Sequence, residues 1–197
     1  MYEFEPKDKM QTKGFKFLCL SFIISFSLIA YHNLDIGFVM SSDSYAYSKF
    51  ADDLIKLDFN LFSFYDQSNY SRPIYIYTIP ILLISLSKVI FGTGWQFAFI
   101  IFNLVLVLCT LIIFYKILKL LNVRVLIISL SMPLLAVSTD LLTWPRYILS
   151  DTIFSFIVFF FIYLMIKSVV AQKFNYYLFI IILFIMFLTR PTSIPYI

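Results

Sequence analysis

Apolar runs separated by short polar or basic breaks set the plan of this chain. Runs over 15–31, 95–115, 125–139, 152–166 and 176–189 each predict a membrane-crossing helix. The first, at 17 residues, sits at the short end of the roughly 17–25 residues that a crossing takes. A further run, Pro73–Phe91, is long and apolar enough to join them, but it carries Pro73, Pro80 and Lys88. Ahead of it, from Ser41 to Arg72, lies the longest polar stretch. Within that stretch Tyr45, Tyr47, Phe50, Ala51, Leu54 and Ile55 recur at helical spacing. The pattern predicts an amphipathic helix on the outer membrane surface, N-capped by Ser42 or Asp43.

The basic residues decide between two topologies. If Pro73–Phe91 spans, then Lys116, Lys119, Arg124, Lys167 and Lys173 all fall outside. If it lies in the outer interface or is re-entrant, all five face the cytoplasm, as the positive-inside rule favours. The N-terminal tail, with Lys7, Lys9, Lys13 and Lys16, is then cytoplasmic too, and the first run is an uncleaved anchor. The return over 125–139 is expected to kink at Pro133. An outer loop over 140–151 carries Trp144 and Tyr147 as interfacial aromatics, and Arg190 emerges on the outer side. The predicted fold is all-α: one polytopic membrane module over 1–197, with about five transmembrane helices plus outer juxtamembrane helices. Its first outer loop covers 41–72, its interfacial or re-entrant helix 73–91, and its second outer loop 140–151.

Composition turns the membrane reading from a pattern into a requirement. The chain is 61% hydrophobic and 13% charged, with a mean hydropathy of +0.92. A soluble domain is nearer 45–50% apolar and 25% charged. The net charge of +4 is spread singly between apolar runs, so it orients the chain and is no nucleic-acid footprint. Cys19 and Cys109 each lie inside an apolar run and are expected as inert thiols. With 4 glycines and abundant Phe and Ile, close small-residue helix contacts are not expected.

No glycine-rich phosphate loop, HExxH, CxxC or nucleophile elbow occurs. What remains are ionisable groups at membrane depth, which are costly there and therefore functional candidates. Each has a plain structural alternative. Asp43 and Asp151 can serve as helix caps, and Asp52 and Asp53 as a solvated face. Arg72, Arg146 and Arg190 can be interface anchors, and His32 a lone interfacial polar residue.

The order of these groups resembles a known pattern. Asp43-x-x-x-Tyr47 after the first span resembles the acidic motif in the first outer loop of GT-C glycosyltransferases. Arg72-Pro73 resembles the basic-Pro start of the juxtamembrane helix in their aminoarabinose and protein O-mannosyl transferase branch. Tyr147-Ile148-Leu149-Ser150-Asp151-Thr152 resembles their second outer loop, and Leu188-Thr189-Arg190-Pro191-Thr192 a basic-Pro motif after a later span.

The resemblance implies transfer of a sugar from a polyprenyl-phosphate donor to a lipid, glycan or protein acceptor at the extracytoplasmic face of a bacterial plasma membrane. It implies Asp43 and Asp151 as the catalytic carboxylates, with Tyr45, Tyr47, Arg72, Arg146 and Arg190 binding substrate. Ser44 stands where that branch often has a second acid, which leaves open whether Asp43 and Asp151 hold a divalent metal ion. Family members carry more spans and a C-terminal domain, so the chain is expected to be the N-terminal part of a longer enzyme. The competing expectation is a non-catalytic polytopic membrane protein: a transporter, a polysaccharide-assembly subunit or an inactive remnant. A transporter would place its ionisable groups mid-span, whereas here the acids gather at one face.

Overall fold

The computed structural model describes residues 7–67 and 74–190, with side chains over 14–66 and 75–190. Nine α-helices occur among them: α1 Lys7–Ile36, α2 Ser42–Lys56, α3 Leu61–Gln67, α4 Thr78–Phe91, α5 Trp95–Leu120, α6 Val125–Ala136, α7 Thr139–Leu142, α8 Asp151–Ala171 and α9 Tyr176–Phe187. Short 3₁₀ turns at Ile74–Tyr77, Gly92–Gly94 and Trp144–Arg146 join them. The all-α prediction holds for the described residues.

Among those residues three stretches are long and apolar enough to cross a membrane: Gly14–Ile36, Tyr75–Leu120 and Asp151–Ala171. The pair Val125–Ala136 and Thr139–Arg146, bent by 65°, makes a fourth if it acts as one span. Helix α9 has 12 residues, a rise of about 18 Å against a hydrocarbon core of ~30 Å. The protein therefore has the build of a multi-pass membrane protein with three or four clear spans. The 75–120 stretch is not one rod. Gly92 takes φ 53°, a left-handed value that costs glycine little, and the turn it makes lets α4 pack back against α5.

Helix α5 is central, contacting α1 and α6 on one side and α8 on another. Its two flanks belong to separate apolar cores. One joins Ile29 of α1 to Leu104, Val107 and Leu111 of α5 and Ile128 and Met132 of α6. The other joins Ala51 and Leu54 of α2, Ile81 and Ile84 of α4, Phe99 of α5, Ile153 and Ile157 of α8 and Met186 of α9.

Three expectations are revised. Helices α1 and α6 do meet closely, and serine provides the small residue that glycine does not. Ser21 Oγ donates to the Ser129 carbonyl across the interface, and Ser25 Oγ donates back to the Ser21 carbonyl at 2.7 Å. In lipid such contacts satisfy hydroxyls while letting backbones approach. The bend after α6 falls at Val137–Ser138 and not at Pro133. The Pro133 carbonyl accepts from Val137 N at 3.1 Å, so the helix completes one more turn before breaking. Lastly, the apolar face of α2 does not rest on lipid: Tyr47, Ala51 and Leu54 are buried and α4 covers that face. Lys88 of α4 reaches across it, with Nζ donating to the Ser48 carbonyl and Oγ at 2.8 Å each and to Asp52 at 2.7 Å, while lying 4.9 Å from the Trp95 ring centre.

Candidate functional site

The site is built where the start of α2, the start of α8 and the end of α9 meet. Its first element is Ser41, whose side chain accepts from Ser44 N at 3.2 Å, with extended backbone (φ −85°, ψ 172°). Ser41, not Ser42 or Asp43, is thus the cap of α2. Asp43 is left as an exposed carboxylate in the first helical turn, where the aligned peptide dipoles favour negative charge.

One turn on, Tyr47 is 8% exposed and its ring lies 5.3 Å from that of Tyr77. Burial pushes the phenol well above its ordinary value, and Tyr77, Asp43 and Asp151 push it further in the same direction. A hydrogen bond with the Ser150 side chain opposes them. Both Asp43 and Asp151 therefore lie within electrostatic reach of one buried, uncharged phenol. Neutral Tyr47 is a donor placed beside two carboxylates.

Asp151 is the first residue of α8, yet it does not cap that helix. The cap position belongs to Ser150, without a side-chain cap bond. The Asp151 carboxylate instead accepts from Arg190 Nη1, which ties the end of α9 to the start of α8. The same end is closed by Ile79 N donating to the Leu188 carbonyl at 3.1 Å and by Tyr65 Oη against Thr78 Oγ1 at 2.5 Å. Thr152, directly after Asp151, is 3% exposed, and its hydroxyl is buried with no hydrogen-bond partner among the described residues.

The remaining expected residues divide. Arg146 stands apart from the Asp151–Arg190 pair. Its Nη1 lies 3.4 Å from His32 Nε2, its guanidinium 5.5 Å from the Tyr147 ring centre, and its Nε is buried without a partner. Its carbonyl accepts from Val39 N at 3.0 Å, and Asn103 Nδ2 donates to the Pro145 carbonyl at 2.9 Å. Arg146 thus braces the loop that leads into α2, and His32 has a partner. Tyr45 is 65% exposed, and two helical positions from Tyr47 place it on a different face of α2. Arg72 lies outside the described residues. Asp52 and Asp53 are paired, with Lys88 and with Lys56 at 3.0 Å.

Ser150 falls inside a sequence motif without a role of its own there, and Tyr77 falls in none. Neither has a local signal, because each matters through a neighbour brought in from another helix.

Among the described residues no three His, Cys, Asp or Glu side chains converge. The site offers a hard divalent cation two carboxylates, one of them engaged by Arg190, against the six or more oxygens such an ion takes. That donor set is a poor fit. No protein-family model matches the chain, and no curated protein or solved structure is significantly similar to it.

Proposed function

We propose that this chain is the membrane module of a GT-C-like glycosyltransferase that moves a sugar from a polyprenyl-phosphate donor onto an acceptor at the outer face. The observation that carries the proposal is the convergence of Asp43, Tyr47, Asp151 and Arg190 at one end of an apolar helical bundle. Four polar groups from α2, α8 and the segment after α9 gather at that end of a chain that is 13% charged. Intramembrane ionisable groups of this kind mark substrate paths.

In the proposed step Asp43 takes the proton of the acceptor hydroxyl or amine as its heteroatom attacks the anomeric carbon. The bond from that carbon to the phosphate oxygen breaks, and polyprenyl phosphate leaves with the electron pair, so one inverting displacement balances the reaction. Arg190 faces the phosphate, because a guanidinium presents its N–H donors in a planar fork that matches phosphate oxygens. Asp151 fixes Arg190 and orients the acceptor. Neutral Tyr47 donates to a substrate oxygen or to a carboxylate.

In this proposal α1, α5, α6 with α7, α8 and α9 are five crossings, α4 lies at the outer interface, and the N-terminus is cytoplasmic in a bacterial plasma membrane. The placement of Lys116, Lys119, Arg124, Lys167 and Lys173 at helix ends remote from Asp151 supports that orientation. The test is transfer of a radiolabelled sugar from polyprenyl phosphate by membranes carrying the full-length protein. Asp43→Asn is expected to abolish transfer at unchanged protein level, and wild-type rates in that variant would overturn the assignment.

A further inference from the structure

At the opposite end of the bundle α1 and α5 diverge and leave an apolar groove. Leu18, Cys19 and Phe22 of α1 and Ile112 and Tyr115 of α5 line it, around a volume of about 370 Å³. That volume falls within the roughly 300–1,000 Å³ of small-ligand sites. The floor is packed, with Leu18 buried in the α1–α5–α6 core, while Cys19 at the wall is exposed.

The mouth of the groove is basic. On α5, Ile112, Tyr115, Lys116 and Lys119 fall at i, i+3, i+4 and i+7, so both lysines continue the lined face toward the helix end. Lys119 Nζ lies 5.9 Å from the Tyr115 ring centre, which folds it back over the groove. On α1, Lys16, Cys19 and Ile23 fall at i, i+3 and i+7, which sets Lys16 at the same mouth. Gly14 beside Val125 brings α1 next to the start of α6, hence next to Arg124. No Asp or Glu occurs over 9–34 or 67–139. Lys16, Lys116 and Lys119 are all exposed.

An apolar slot in a lipid-facing wall, closed at its open end by lysines, has the complementarity of one molecule class. We propose that this groove is a binding site for a single anionic phospholipid. Its acyl chain lies against Leu18, Phe22 and Ile112, and its phosphate meets Lys16, Lys116 and Lys119. Basic pockets between helices select acidic headgroups by the same physics that holds polybasic segments on anionic leaflets. The site is independent of the proposed transfer reaction and lies at the other end of the molecule.

The test uses the full chain in phosphatidylcholine bilayers, with Ile112→Trp as reporter and the unmodified protein as reference. Bromine-substituted acyl chains, carried either by phosphatidylglycerol or by phosphatidylcholine, quench indole on contact. Quenching at the reporter is expected to show about a fivefold preference for phosphatidylglycerol, in keeping with modest per-lysine attraction. The preference is expected to shrink in 0.5 M salt. It should fall to unity in the K16Q/K116Q/K119Q variant, whose exposed substitutions leave the packed floor untouched. Equal quenching by both lipids overturns the proposal, as does a preference that survives loss of the lysines. Absence of quenching by either lipid, with Cys19 crosslinking between copies, would give the groove to a second chain and overturn it as well.

Discussion

Arg190, at the end of α9, donates to the carboxylate of Asp151, the residue that opens α8 39 positions earlier. The pair joins two helices through the site, and it is partly buried, with the Asp151 side chain 15% exposed and that of Arg190 36%. Removing Arg190 takes from Asp151 the cation that it is paired with. Arg190→Gln is expected to lower stability by about 1–3 kcal/mol, read as a drop in thermal midpoint of the purified protein. The double variant with Asp151→Asn should cost less than the sum of the two single changes. Strict additivity would show that the pair contributes no coupling.

Ser41→Ala is expected to cost about 1 kcal/mol, because the N-cap oxygen accepts from Ser44 N. Ser42→Ala should be nearly neutral, and Asp43→Asn should lose a few tenths of a kcal/mol, up to about 1, of helix-dipole interaction. Thermal denaturation of the three variants separates the cap from the proposed base. A larger loss at Ser42 than at Ser41 would refute the capping geometry.

Tyr47 gives a pH dependence of known sign. Its folded-state value is raised, with burial the main cause, so the folded chain keeps the phenol proton where the unfolded chain gives it up. Its contribution is intact below pH ~10, the unfolded tyrosine value, and stability declines as pH rises beyond it. Tyr47→Phe is expected to flatten the fall in thermal midpoint between pH 10 and 12.

Lys88 clamps α2 to α4 through Ser48 and Asp52. Lys88→Met is expected to raise hydrogen exchange across α2 by several-fold while leaving α8 amides unchanged. If α2 exchange does not respond, apolar packing of Ala51 and Leu54 alone holds the two helices.

Single cysteines at Leu121 and Gln172, placed in a chain with Cys19 and Cys109 changed to serine, are expected to label from one side of the membrane. A cysteine at Asp140 should label from the other. Labelling of positions 121 and 140 from the same side would break the proposed arrangement of crossings.

How far the sequence could be read differs from residue to residue. The apolar runs and the helical spacing in α2 are local properties, and both were legible. What covers the apolar face of α2 was not. Period identifies Tyr47, Ala51 and Leu54 as one face, but whether lipid or α4 lies on it depends on the Gly92 turn, which re-aims α4 over α5. The cap was missed by one position, the usual error at a helix start. Asp43 and Asp151 stood out as carboxylates in apolar surroundings. Which arginine serves Asp151 could not be read from the chain. Arg146 is five residues away in sequence and braces His32, whereas Arg190 arrives from a different helix.

That last contact also sets a schedule. At chain growth of about 5–20 residues per second, Asp151 leaves the ribosome several seconds before Arg190. Until α9 has been laid down, the start of α8 carries a carboxylate with its guanidinium still unmade. The start of α8 and the end of α9 are therefore joined only once residue 190 has been made, and a chain ended before it would lack the contact between Arg190 and Asp151.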